Sequence, residues 1–129
     1  MSPPVWLDKS LILAVQSRLL TQHGGTRGVR DKGLLESALS RPKNLYVYEN
    51  PDLYDLAAAY ICGLVQNHPF IDGNKRIGFM AGYIFLARNG KELIADEAEA
   101  AHIIFDLASN SIDESRLKNW LVENCTDNI

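Results

Sequence analysis

The sequence predicts an all-α domain of about six helices with one short extended or hairpin flap, and three observations predict it. Apolar residues recur at helical spacing through most of the chain, capping residues stand ahead of several apolar runs, and Gly or Pro punctuates the intervals between them. The 129 residues fit one domain, 1–129, with room for a real core and a single site.

The first helix is expected after Asp8, with Leu11, Val15 and Leu19 on one face and a stop before Gly24-Gly25. Gly24-Gly25-Thr26-Arg27-Gly28 then reads as a loop. Asp31 caps a second helix that carries Leu34, Leu35 and Leu39 and ends ahead of Pro42. Between Arg41 and Pro51, Leu45, Tyr46, Val47 and Tyr48 favour extended structure, so residues 41–51 form the expected flap. A third helix starts near Asn50-Pro51, with Leu53, Leu56, Ala57, Tyr60, Ile61 and Leu64 as its buried stripe.

The fourth helix is expected from about Gly73 to Arg88, with Gly90 as a left-handed stop. Being apolar nearly all round, it reads as the central helix, and Gly78 and Gly82 let a neighbour come close. Asp96 with Glu99 and Ser111 with Glu114 are capping-box signatures for two more helices. No internal repeat and no domain linker is visible.

Composition excludes several function classes. Hydrophobic residues make up 47% and charged residues 22%, the balance of an ordinary globular protein. A formal net charge of −3 and a pI near 5.5 argue against a broad basic surface for nucleic acid. Cys62 and Cys125 lie far apart and make no metal-ligand spacing, so both are read as reduced thiols. The N-terminal residues lack the pattern of a secretory signal, and the longest apolar-rich stretch, 77–87, is too short to cross a bilayer, so a cytoplasmic location is expected by default.

The chemistry is concentrated in Asn67-His68-Pro69-Phe70-Ile71-Asp72-Gly73-Asn74-Lys75-Arg76, a polar segment between two apolar helices. Pro69 biases His68 toward extended backbone, and Gly73 permits close approach at a helix N-terminus, where free N–H groups suit phosphate. Lys75 and Arg76 put two cations at that same end, against the helix dipole, and a polyphosphate would remove the conflict. Asp72 offers a hard oxygen for a Mg²⁺ that stays partly hydrated. Asn74 can serve either phosphate or the loop backbone. His68 has the side chain best suited to general-base work near neutral pH. Phe70 is expected in the core as the loop's anchor. Each residue alone has an ordinary surface or turn explanation; their conjunction in one segment carries the reading.

His-Pro-Phe-Ile-Asp-Gly-Asn-Lys-Arg resembles the signature of the Fic/Doc family, in which His-x-Phe-x-(Asp/Glu)-(Gly/Ala)-Asn precedes Gly-Arg or Lys-Arg. The resemblance extends to Gly24-Gly25, to the segment from Arg30 to Glu36, to the Tyr-rich stretch and to Arg88-Asn89-Gly90. AMP-transferring members carry Gly before the Arg and a second Arg three residues later. Here Lys75 and Phe79 occupy those positions, as in the Doc branch, the toxins of toxin–antitoxin pairs.

By resemblance, His68 is the general base, Asp72 the Mg²⁺ ligand, Asn74, Lys75 and Arg76 the phosphate contacts, and Gly73 the source of room for the anion. The resemblance also implies ATP and Mg²⁺ as cofactors and transfer of phosphate to a threonine of elongation factor Tu. A target strand would add at the flap near Tyr46 and Tyr48. No Ser or Thr is followed four positions on by Glu, so the self-inhibitory helix of some Fic proteins is missing and a cognate antitoxin on a separate chain is expected. The alternatives are an adenylyltransferase using the same loop and a nucleotide-binding module without turnover. Other residues carry less. His23 and His102 are too far apart for a zinc site, Cys62 reads as a buried thiol, and Trp6 and Trp120 read as core aromatics.

Overall fold

In a computed structural model that describes residues 3–127, the chain folds as six helices and one small antiparallel pair of strands. Met1 and Ser2, where a secretory signal would begin, lie outside the described residues. Helix α1 spans Lys9–His23, α2 Lys32–Tyr48, α3 Leu53–Asn67 and α4 Asn74–Arg88. Strand β1 (Lys91–Leu93), α5 (Glu97–Ala108), α6 (Glu114–Glu123) and β2 (Cys125–Asp127) complete the order. Among the described residues, no helix is long and apolar enough to cross a membrane.

Side-chain caps set most of the helix starts. Asp8, Asp31, Asp52, Asp96 and Asp113 each stand in extended backbone and accept from a backbone N–H one turn inside the helix. At α3 the box is reciprocal, because Asp55 also accepts from the N–H of Asp52. The expected cap of α6 at Ser111 is corrected to Asp113. Ser111 Oγ lies 3.0 Å from Ser109 Oγ, while the Asp113 carboxylate takes the N–H of Arg116 at 2.8 Å.

The central helix is α3, not α4 as its all-round apolarity suggested. Every residue from Leu56 to Val65 is buried, whereas Lys75 and Arg76 of α4 are exposed and Phe79, Met80, Tyr83 and Ile84 only half-buried. Small residues make this possible. A Cβ on Gly63 would stand 3.1 Å from Ala38 Cα, so α2 lies directly against α3. On the opposite side Gly78 and Gly82 of α4 bring that helix onto Ile61 and Val65. The glycine pair therefore does what its spacing predicts.

The expected flap does not form. Residues 41–48 continue α2 without a break, with Pro42 buried inside the helix. A proline there removes one backbone hydrogen bond and crowds the preceding turn, a cost of about 3 kcal/mol in an isolated helix. Tertiary contacts offset it: Leu45 packs on the core, Tyr46 meets Trp6 edge-on at 5.5 Å, and Arg41 donates to the carbonyl of Ala59 and pairs with Glu114. Extended backbone is confined to the short link that ends at the Asp52 cap, so α3 begins at Leu53 rather than at Asn50-Pro51. Tyr46 and Tyr48 thus sit on a helix with no free strand edge beside them.

The strands found instead lie elsewhere. Lys91, Glu92 and Leu93 pair with Asp127, Thr126 and Cys125, tying the end of α4 to the end of α6. Trp120 is buried, Trp6 packs against the core from a partly buried position, and Cys62 and Cys125 are free thiols.

Candidate active site

The motif segment joins α3 and α4, which pack closely through Gly78 and Gly82. Helix α3 ends at Asn67, and His68 follows in the left-handed region at φ 49°, ψ 53°. This corrects the extended backbone expected from Pro69. For a non-glycine residue the left-handed state costs roughly 1–2 kcal/mol, and such strain persists only where the surroundings fix it.

Those surroundings are the loop from Gly24 to Asp31, which lies along the motif. Arg30 Nε donates to the carbonyl of His68 at 2.7 Å and its terminal nitrogen to that of Asn67 at 3.0 Å. The backbone N–H groups of Arg30 and Asp31 both donate to the carbonyl of Pro69. Ile71 N–H donates to the carbonyl of Gly28, and Val29 and Phe70 form an antiparallel bridge. Gln16, buried in α1, donates to the same Gly28 carbonyl at 3.2 Å. Phe70 is buried as expected. It anchors a loop in which His68, Ile71 and Asp72 are exposed.

Asn74 takes the backbone role of the two that were open to it. Its side-chain oxygen accepts the N–H of Phe70 and its amide donates back to the Phe70 carbonyl, both at 3.0 Å. The side chain read as a phosphate contact is therefore the staple of the loop. Asn74 can still present its backbone N–H at the helix start.

Asp72 is exposed, and one of its oxygens, Oδ2, accepts the N–H of Thr26 at 2.7 Å. The other has no partner among the described residues. Gly25, at φ 118°, makes the approach possible, since a Cβ there would stand 3.3 Å from the Asp72 Cβ and 2.8 Å from Leu20. Gly73, at φ 84°, is the N-cap of α4 and supplies no side-chain acceptor. The N–H groups of Asn74, Lys75 and Arg76 consequently have no hydrogen-bond partner among the described residues, and the first intrahelical bond runs from Ile77 to Gly73.

Lys75 and Arg76 are exposed and enter no ion pair among the described residues, whereas Lys9, Arg41, Lys91 and Lys118 each do. His68 is exposed as well. One stretch of surface therefore gathers an imidazole, a carboxylate with a free oxygen, an open helix N-terminus and two unpaired cations. That set can accept a proton from a hydroxyl and hold an anion with its metal. No group of three or more potential metal-binding side chains occurs among the described residues, so any ion at Asp72 would complete its shell from phosphate and water.

Two surface depressions lie away from the motif. One of about 670 Å³ is lined by Arg41, Cys62, Gln66, Asn110 and Glu114 among others, and one of about 430 Å³ by Leu45, Asp55 and Lys118 among others. Neither includes a residue from 68–76. Cys62 at the first is no nucleophile, because burial pushes its thiol up to about 12, with Glu114 adding to the effect. The start of α4 is instead an exposed helix end with free N–H groups, which suits an anion.

What sequence reasoning missed is the clamp, namely Gln16, Thr26, Gly28 and Arg30. Gly25 and Arg30 stand in segments that carried the family resemblance, but nothing local says what Arg30 touches. Its partners are 37 and 38 residues away.

The Fic/DOC family model matches residues 6–86, a stretch that holds both the clamp loop and the motif. Among curated proteins, "Toxin Doc" of Mycolicibacterium smegmatis is 42% identical over 93 residues, covering 70% of this chain and 69% of that protein. "Protein kinase doc" of Escherichia phage P1 is 29% identical over 111 residues, covering 85% of this chain and 87% of that protein. With the motif in place at the junction of α3 and α4, the chain belongs to the Fic/Doc family, in its Doc toxin branch.

Proposed function

We propose that this chain is a toxin that transfers the γ-phosphoryl group of ATP to a serine or threonine hydroxyl of a protein, with elongation factor Tu as the expected target. The observation that carries the reading is the coincidence of an exposed His68 with the unpaired N–H groups and cations at the start of α4. In this reading the His68 imidazole takes the proton of the attacking hydroxyl. The N–H groups of Asn74, Lys75 and Arg76 and the two cationic side chains hold the phosphates. Phosphoryl transfer needs chiefly positioning and charge neutralisation, and this end of α4 is equipped for both.

The free oxygen of Asp72 fits a single protein ligand to Mg²⁺, which prefers to keep water and phosphate in its shell. When bound, the ion neutralises phosphate charge. Thr26 holds the Asp72 carboxylate in place for it.

Phosphoryl rather than adenylyl transfer is supported by two residues. Lys75 stands where AMP-transferring relatives have a glycine, and Phe79, in the place of their second arginine, is half-buried against the core and brings no charge. The phage relative is named a protein kinase, in keeping with this choice. The toxin reading also implies a cognate antitoxin on a separate chain, consistent with the name of the mycobacterial relative. Expression of the chain alone should slow cell growth, and co-expression of the antitoxin should restore it. Unimpaired growth with the intact protein present contradicts the toxin reading.

A further inference from the structure

We infer that Arg30 is a positioning residue for His68, holding the base in the geometry that the transfer step needs. The inference rests on the reading of His68 as the base, and its grounds are separate from that reading. The carbonyls of Asn67, His68 and Pro69, three in a row, are all answered from Arg30: two by its guanidinium and the third by its backbone N–H. These carbonyls leave the C-terminus of α3, where the helix dipole is negative and a cation is favoured. Arg30 forms no ion pair among the described residues. It is committed to the motif backbone.

The backbone it grips is the part that local preferences disfavour. A residue with a Cβ is disfavoured in the left-handed region, and the residue before a proline is pushed toward extended structure. Both preferences act against φ 49°, ψ 53°. Without the guanidinium, the peptide that follows His68 can turn toward the extended state, and the imidazole swings with it. The phosphate-holding groups stand beyond Gly73 on α4, and the loop between is tied separately by Asn74 to Phe70 and by Ile71 to Gly28. Loss of Arg30 should therefore displace the base and spare the anion site. A planar guanidinium spans two adjacent carbonyls, whereas a lysine ammonium in the same place reaches them as a point charge without the fork.

The test compares wild type, Arg30→Lys and Arg30→Ala in two measurements. The first is NMR of the protein without nucleotide, in which the backbone shifts and couplings of His68 report its left-handed conformation. The second is the rate of label transfer from ATP to elongation factor Tu, resolved into kcat and KM for ATP. In Arg30→Ala, His68 should leave the left-handed region and kcat should fall on the order of 10²-fold, the scale of a misplaced catalytic group. KM for ATP should stay within about twofold, because uniform binding is untouched. Arg30→Lys should lie between wild type and Arg30→Ala in both measurements. If Arg30→Ala does not fold, Arg30→Lys decides by the same criteria. Unchanged His68 signals in the deciding variant overturn the inference, as does a wild-type kcat. An equal loss in kcat and ATP affinity also overturns it, since that marks general damage. If wild type itself transfers no label, the functional reading fails, and the NMR comparison still decides whether Arg30 holds His68.

Discussion

Two prolines, Pro42 and Pro69, each follow a residue whose backbone a local rule would make extended, and in both places the structure overrides the rule. At Arg41-Pro42 the override is helical. Helix α2 runs through the proline because Arg41 finds Ala59 and Glu114, and because Leu45 and Tyr46 have surfaces to pack against. At His68-Pro69 the override is left-handed, held by Arg30 and by the bridge between Val29 and Phe70. The first segment spends its contacts on keeping a helix packed; the second spends them on displaying one side chain in a strained backbone. Strain that leads to no burial is a mark of a functional segment, and here it coincides with the motif.

This contrast yields tests that separate activity from stability. The largest effect is expected at His68→Ala, which should lower transfer by on the order of 10²–10⁴-fold, the usual share of a general base. Its unfolding midpoint in urea should stay near wild type, since the side chain is exposed. Near-wild-type transfer by the folded variant would remove His68 from the chemistry. Asp72→Ala comes next. It should lose most transfer, with excess Mg²⁺ restoring part of it at best, and transfer that proceeds equally well in EDTA would end the metal role.

At the other proline the expectation reverses. Arg41→Ala should leave transfer unchanged and reduce stability by about 1 kcal/mol, chiefly through the bond to the Ala59 carbonyl, because the Glu114 pair is partly exposed and screened. A loss of transfer without a loss of stability would show that the two segments are coupled. The smallest effect is expected at Tyr48→Ala. That ring is 83% exposed, so stability should move by less than about 0.5 kcal/mol. Weaker modification of the protein target by this variant, with KM for ATP unchanged, would restore Tyr48 as a substrate contact.

Much of this was legible in the sequence because helix ends are local. The Asp8, Asp31 and Asp96 caps act on N–H groups three residues away, and Gly90 stops α4 by its own backbone freedom at φ 89°. The motif was legible for a related reason: its base, carboxylate and cations lie within nine residues of chain. What could not be read there depends on distant partners. The helical course through Pro42 needs Ala59 and Glu114, the β1–β2 register joins residues 91–93 to 125–127, and the left-handed His68 needs Arg30. The rank of α3 over α4 as the central helix was hidden too. Small residues such as Gly63 add little to an apolar count but decide how many neighbours a helix can hold.

The central claim is that the start of α4, with Lys75 in place of a glycine and Phe79 in place of an arginine, presents the γ-phosphate of ATP to a hydroxyl beside His68. The most direct measurement incubates the protein and elongation factor Tu with Mg-ATP labelled at either the α- or the γ-phosphate. Label should remain on the target from the γ-position alone and should vanish with His68→Ala. Retention of α-label would contradict the claim and show that the protein transfers AMP.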